Sequence, residues 1–404
     1  MINIGLLGLG TVGQGVVEII RKKEKDLENL LNKKIKIKKI LVKNINKERD
    51  IQPSKDIITD DFKDILEDDE INIIIEVTSD LEESYGYIKD SLNKGKHVVT
   101  ANKAIVSKYF EELNNLSIKN KVAFLYEASV AGGIPVLKPL KEEIALNEID
   151  EVQGILNGTC NYILTKMFQE GLDYKEVLKV AQDLGYAEVD PAADVEGHDT
   201  LRKLRILGTI ALQGTILEED IILEGIDNIS SFDVEQMKKL NKTVKLIGEA
   251  RILEDGFIAV VQPTIVDNNS YFASVNEAFN SVAFKGDNVG ELKFYGAGAG
   301  KLPTANAILG DVLDIIMDSY RKVNPLGEKV LLNKNKTIKG KYYLRFSKIK
   351  DEILKEVDKI SEKILAKDEF IAIETKEMEL QEIYNIIESL NIKKDEYFLG
   401  RFLN

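Results

Sequence analysis

Apolar residues first cluster at residues 2–7, a run of strand length rather than helix length. Gly8-Leu9-Gly10-Thr11-Val12-Gly13 follows at once. Val16, Val17, Ile19, Ile20, Leu27, Leu30 and Leu31 then recur at three- and four-residue spacings, the period of a helix. The order is strand, glycine turn, helix. Further strands are expected at residues 35–42, 71–77, 96–100 and 122–127, with helical segments between them. Strands alternating with helices predict a Rossmann-type, doubly wound parallel sheet over residues 1–130, completed by an apolar helix at about 304–325.

The pattern changes at Ala131-Gly132-Gly133-Ile134-Pro135, a turn-rich hinge. Residues 148–156 read as a strand; residues 161–168, 174–184 and 200–213 read as helices. Mixed strands over roughly 221–295 make residues 131–303 an α+β domain. Residues 333–341 are basic, polar and poorly patterned, and read as a linker. A small α+β module over 342–404 follows, read as strand 342–346, helix 351–365, strand 369–375, helix 380–390 and strand 397–402.

Composition narrows the class. The 404 residues carry 68 acidic and 55 basic side chains, a net charge of −13, which argues against binding nucleic acid. No run of 18 apolar residues exists and the N-terminus is no signal peptide, so no membrane association is expected. One cysteine and two histidines leave little for a disulfide or zinc centre, and fit the cytoplasm.

The glycine pattern has the context that a dinucleotide site requires, ending a strand and opening a helix. Gly8 permits the turn, Gly10 admits the pyrophosphate to the backbone, and Gly13 lets helix and strand pack closely. Thr11 and Val12 open the helix, whose N–H groups face the phosphates. An NAD site usually carries an acid at the end of the second strand. Here that position reads Leu41-Val42-Lys43-Asn44, with Lys47 and Arg49 beyond, which favours the 2′-phosphate of NADP over NAD.

Between Gly185 and Lys203 lie Glu188, Asp190, Asp194, Glu196 and Asp199, followed by Arg202, Lys203 and Arg205. Pro191 and Gly197 break the first half into a loop. Asp199 and Lys203, four apart, share a helical face. One reading is an exposed ion pair worth about 0.2–0.5 kcal/mol. The other is a substrate-holding acid beside a lysine that moves a proton. Asn157-Gly158-Thr159-Cys160 either contacts a ligand or caps the next helix. Lys103, in Thr100-Ala101-Asn102-Lys103, follows the fourth strand at the edge where ligands sit in open α/β sheets.

These segments together resemble one family, homoserine dehydrogenase, across about residues 2–325. The resemblance rests on GLGTVGQGV (8–16), TANKA (100–104), EASVAGGIP (127–135), NGTCNYIL (157–164), GYAEVDP (185–191) with the following GHD, and YGAGAGKLPTA (295–305). It implies interconversion of L-homoserine and L-aspartate 4-semialdehyde with NAD(P), in threonine, methionine and isoleucine synthesis. It further implies Lys203 as proton donor and base, Glu188 and Asp199 as substrate ligands, and Lys103 at the cofactor–substrate junction. Gly185 and Gly298 would contact the cofactor. A sodium ion would sit on backbone carbonyls of Glu127, Val130, Gly132 and Ile134. The domain at residues 131–303 would bind substrate and dimerise, in a homodimer or homotetramer.

Two departures stand out. Thr78 and Ser79 occupy positions where the family commonly has glycines. The C-terminal module resembles an ACT domain but reads as shortened, without a second strand or a glycine-rich turn after Phe346, which argues against threonine feedback through it. A related activity, aspartate-semialdehyde dehydrogenase, needs a thiol nucleophile with a histidine partner, and Cys160 has none close in sequence.

Overall fold

The computed structural model describes residues 1–322 and 324–403, which group into two units. One comprises residues 1–148, 209–215 and 296–329; the other comprises 149–208, 216–295 and 330–404.

The first unit is a six-stranded parallel sheet: β1 (Ile2–Leu7), β2 (Ile35–Leu41), β3 (Ile58–Thr59), β4 (Ile71–Glu76), β5 (His97–Thr100) and β6 (Phe124–Leu125). Its order, β3-β2-β1-β4-β5-β6, reverses direction at β1, so a crevice opens at the carboxyl end of that strand. Ile4, Leu6, Ile73, Ile75 and Val99 form the buried apolar layer of the sheet. Against them pack Val16, Val17 and Ile20 of the helix Thr11–Lys22 and Ile308 and Val312 of the helix Lys301–Ile316. These helices approach closely because Gly15 has no side chain: a Cβ there would lie 2.6 Å from the Lys301 carbonyl oxygen.

Three boundaries differ from expectation. The last strand stops at Leu125, where a 3₁₀ turn, Glu127–Ser129, delivers the Glu127 carboxylate to the N–H groups of Val136, Leu137 and Lys138 at 2.6–2.8 Å. The closing helix begins at Lys301, because Pro303 is tolerated in a first turn that needs no N–H donor there. β3, two residues long, was not foreseen at all.

The second unit is built on β7 (Ile149–Ile155), β8 (Ile222–Leu223), β9 (Lys242–Leu253), β10 (Gly256–Asp267), β11 (Phe279–Gly286) and β12 (Gly290–Ala297). The helix Ser231–Lys239 lies within the region read as mixed strands; Ser230 caps it through a reciprocal box with Asp233. Gly248 in β9 faces the helix His198–Leu212, and a Cβ there would already touch Thr200 and Leu204 at 3.3–3.5 Å.

The C-terminal strands are β13 (Lys339–Gly340), β14 (Tyr342–Phe346), β15 (Ser361–Lys367), β16 (Ile371–Thr375), β17 (Met378–Glu379) and β18 (Tyr397–Phe402). The helix expected over 351–365 ends at Ile360, and β15 is the second strand that the sequence did not suggest. With the helix Leu380–Ser389 the module therefore has a full β-α-β-β-α-β core, in the order β18-β14-β16-β15. The argument against a threonine response loses the support of a missing strand.

β18 pairs in parallel with β10, so the module prolongs the sheet of its unit. Buried charge locks it there: Arg345 of β14 meets Asp233 at 2.9 Å, and Arg401 of β18 pairs with Glu249 of β9. The segment read as a linker is pinned as well. Asn335 is buried and its Oδ1 accepts from the Ala259 N–H at 2.7 Å.

A buried lysine gives this unit a pH signature. Lys245 of β9 is 1% exposed, donates to Asn161 Oδ1 at 3.0 Å and to the Val275 carbonyl at 2.5 Å, and burial pulls it down from 10.5 to about 8. Between those values the unfolded chain binds more protons than the folded one, so stability rises with pH across that window. Lys245→Met removes the effect. Its stability relative to wild type should be greatest below pH 8 and decline by on the order of 3 kcal/mol toward pH 10.5, as read from urea melts on either side of the window.

Candidate active site

At the carboxyl end of β1 the chain folds round a pocket of about 870 Å³, lined by Gly8, Gly10, Thr11, Val12 and Lys43 among others. Gly8 has φ +100°, and a Cβ there would lie 2.8 Å from the Val77 carbonyl oxygen. Nothing lies within 4 Å of the Cβ position of Gly10, which leaves its backbone open to a ligand. A Cβ on Gly13 would fall 2.2 Å from the Gly8 carbonyl oxygen, so that glycine is required by packing. The helix Thr11–Lys22 starts from Gly10 with no side-chain cap and no acid in its first turn. Such a cradle fits a pyrophosphate.

The neighbouring wall is organised by Glu76, the fully buried last residue of β4. Its Oε1 accepts from the Thr78 N–H and hydroxyl at 2.7 and 2.6 Å, and its Oε2 from Thr100 at 2.7 Å. Burial pushes its carboxyl up, and these hydrogen bonds oppose the push. Thr78 is thus the covering donor of a buried carboxylate. Thr100 in turn accepts from the Asn102 N–H at 2.9 Å, and Asn102 caps the short helix Lys103–Lys108. Lys103 therefore stands half-buried on a stiffly held turn.

In the second unit the two central residues of the acidic segment come together. Lys203 Nζ donates to Asp199 Oδ2 at 2.6 Å and to the Leu156 carbonyl at 2.7 Å. The side chains are only 9% and 4% exposed, so the pair is no surface bridge. Gly197, at φ +91°, turns the chain into the helix that carries both.

Of the two roles that the sequence left open for this segment, Asn157 takes the cap, and it holds two of the acids as well. Its Oδ1 accepts the Cys160 N–H at 2.7 Å and caps the helix Gly158–Glu170. Its amide N–H groups meet Asp194 at 2.7 Å and Asp199 at 2.9 Å. Asn280, not foreseen at all, donates to the same Leu156 carbonyl at 2.8 Å; no local sequence signal links it to residue 156.

Glu188 lies apart from this cluster, on an exposed loop where Gln182 bonds its carbonyl, and no hydrogen bond joins its carboxylate to Asp199 or Lys203 among the described residues. Gly185 turns that loop at φ +77°. Gly298 closes against the hinge: its carbonyl oxygen lies 2.3 Å from the Cβ position of Gly132. Val130 and Ile134 are buried, and among the described residues the carbonyls of Val130, Gly132 and Ile134 accept no hydrogen bond, whereas that of Glu127 takes the Val130 N–H at 3.2 Å. Buried carbonyl oxygens of this kind fit a hard cation. Cys160 is fully buried and its thiol is pushed well up by burial, so it is no nucleophile.

A parallel sheet with this glycine cradle, in a chain that also carries a buried lysine–aspartate pair, defines an NAD(P)-dependent oxidoreductase. Comparison with known proteins specifies which. Residues 8–127 match the family model described as homoserine dehydrogenase, NAD binding domain, and residues 135–313 match that described as homoserine dehydrogenase. The homoserine dehydrogenase of Bacillus subtilis is 42% identical over 315 residues, 78% of this chain and 73% of that protein. That of Synechocystis is 40% identical over 319 residues, with the same coverage. A crystal structure of a homoserine dehydrogenase from Thiobacillus denitrificans superposes with a TM-score of 0.89 at 32% identity, covering 100% of this chain and 98% of that one. A hyperthermophilic archaeal homoserine dehydrogenase in complex with NADPH, 24% identical, shares the fold over 78% of this chain with a TM-score of 0.65. The chain belongs to the homoserine dehydrogenase family.

The double role of Asn157 is testable. Asn157→Ala should cost about 1–2 kcal/mol in a urea melt, the value of a lost N-cap. Asn157→Asp keeps the capping oxygen but sets a third carboxylate against Asp194 and Asp199. It should be at least as damaging, whereas a pure cap would tolerate it.

Proposed function

We propose that this chain interconverts L-homoserine and L-aspartate 4-semialdehyde with NADP preferred over NAD, as a step toward threonine, methionine and isoleucine, and that Lys203 moves the proton. The reading rests on one observation above all: a nearly buried ammonium held 2.6 Å from Asp199, where a solvent-facing pair would have no chemical use.

A nicotinamide dinucleotide held in the Gly8–Gly13 cradle would supply the hydride acceptor for the carbinol carbon of homoserine, or the donor for the aldehyde carbon. Lys203 accepts the hydroxyl proton in the oxidation and donates it to the nascent alkoxide in the reduction. Its ammonium form also stabilises negative charge on that oxygen, in surroundings where water does not screen it. Asp199 orients Lys203 and, with Glu188, receives the substrate's ammonium group; Glu188, on its exposed loop, completes this contact once substrate is present. Lys103 adds a second cation near the reacting groups. Gly185 and Gly298 join Gly8, Gly10, Thr11, Val12 and Gly13 in holding the dinucleotide. Sodium on the carbonyls of Glu127, Val130, Gly132 and Ile134 would supply fixed positive charge to the hinge, an assignment favoured by the unbonded carbonyls of the last three. The absence of an acid at the end of β2, with Lys47 and Arg49 on the pocket rim, favours the 2′-phosphate.

Homoserine oxidation followed by reduced-cofactor absorbance tests the assignment. Turnover with homoserine, and a higher kcat/KM with NADP than with NAD, are expected. Lys203→Ala should lower kcat by roughly 10²–10⁴ and leave the Kd for NADP unchanged. Asp199→Ala should raise the KM for homoserine more than it lowers kcat. Normal turnover in Lys203→Ala would refute the proton-transfer role.

A further inference from the structure

The cation expected to recognise the 2′-phosphate is already engaged. Lys43 follows β2 by two residues, where NAD sites place their acid, and its Nζ lies 2.8 Å from Glu83 Oε2 and 3.3 Å from Asp80 Oδ2. Both carboxylates come from the start of the helix Leu81–Asn93, and Glu83 lines the same pocket from that side. This corner therefore carries one net negative charge. Lys43 alone does not make it attractive to a phosphate.

The two acids are not equivalent. Asp80 supports the helix, since its Oδ1 accepts the N–H groups of Glu82 and Glu83 at 3.1 Å each and caps the first turn. Glu83 meets Lys43 and, among the described residues, makes no other side-chain bond. The loop beyond β2 is differently built. Arg49 donates to the Lys47 carbonyl at 2.7 Å and to the Asn44 carbonyl at 2.9 Å, which fixes the loop, and among the described residues neither Lys47 nor Arg49 meets a carboxylate.

We propose that Glu83 is a specificity-determining residue for the adenosine ribose. It supplies, from the opposite rim, the acid that β2 lacks. Toward NAD its carboxylate accepts the ribose hydroxyls, the role of the usual β2 acid. Toward NADP it opposes binding twice, by competing for Lys43 and by repelling a phosphate that carries up to about two negative charges. Attraction for the 2′-phosphate then rests on Lys47 and Arg49, with Lys43 recruited only when its pair with Glu83 opens. The pair is a contest that keeps both cofactors usable and sets their ratio.

This inference rests on reading the pocket as the dinucleotide site, and its test is separable from the proposed preference for NADP. Kd values for NADPH and NADH are measured by fluorescence on wild type and Glu83→Gln, with kcat/KM for each cofactor in parallel. Glu83→Gln keeps the shape of the side chain and the cap made by Asp80. It should tighten NADPH by about fivefold, near the upper end for one solvent-facing charge contact, and leave NADH unchanged or weaker. The effect should shrink in about 0.3 M salt, where screening acts over a few ångströms. A change equal for both cofactors, or no change in their ratio, overturns the proposal. Only the movement of the ratio is decisive, so a wild-type enzyme that favours NAD would refute the preference while a shift toward NADPH in Glu83→Gln still upheld the role of Glu83.

Discussion

An ammonium group taken out of water must be met by oxygen, and the second unit is arranged around that requirement at Lys203. Asp199 and the Leu156 carbonyl receive its protons, one from the first turn of its own helix and one from the residue that follows β7. Asn157, the next residue, holds Asp199 by its amide and starts another helix with its carbonyl oxygen. Asn280 ties the Leu156 carbonyl to β11. Loss of any member would leave a buried polar group unpaired at a cost of about 1–3 kcal/mol, more for a charge. The same demand for satisfied charge that stabilises the unit also fixes the orientation of a group able to move a proton.

The first unit solves a different problem with almost no side chains. A pyrophosphate needs N–H donors and close approach, and Gly8, Gly10 and Gly13 provide turn, access and packing in turn. At the rim, Lys43 is paired with two carboxylates, Asp80 and Glu83. On the proposed reading, affinity falls to backbone geometry and discrimination between cofactors to a few exposed charges. Exposed charges are the easier element to alter, since none of them supports the core.

Much of this was legible in the sequence, for physical reasons that differ by element. β1, β4 and β5 were readable because buried parallel strands are largely apolar runs between breaks; β2, Ile-Lys-Ile-Lys-Lys-Ile-Leu, alternates apolar and polar over its first four residues. The contact between Asp199 and Lys203 followed from a four-residue spacing, but its burial did not, because burial depends on β7 and on Asn157 about forty residues away. The strand Ser361–Lys367 was hidden because Ile353, Val357, Ile360 and Ile364 continue a helical spacing across Ser361. As an edge strand paired only to β16, it has no apolar run of its own to announce it. The tie between Lys43 and Glu83 joins residues forty positions apart, and no local pattern reports such a pair. The family motifs named the candidate residues; the contacts that restrain them came from distant segments.

The most direct test of the central claim is chemical rescue of Lys203→Ala by small primary amines during homoserine oxidation. If the Lys203 amine moves the proton, kcat of the variant rises with free-amine concentration and, among amines of similar size, with amine basicity, while NADP affinity stays constant. Wild-type turnover in the variant without added amine, or equal stimulation of the wild-type enzyme, would contradict it.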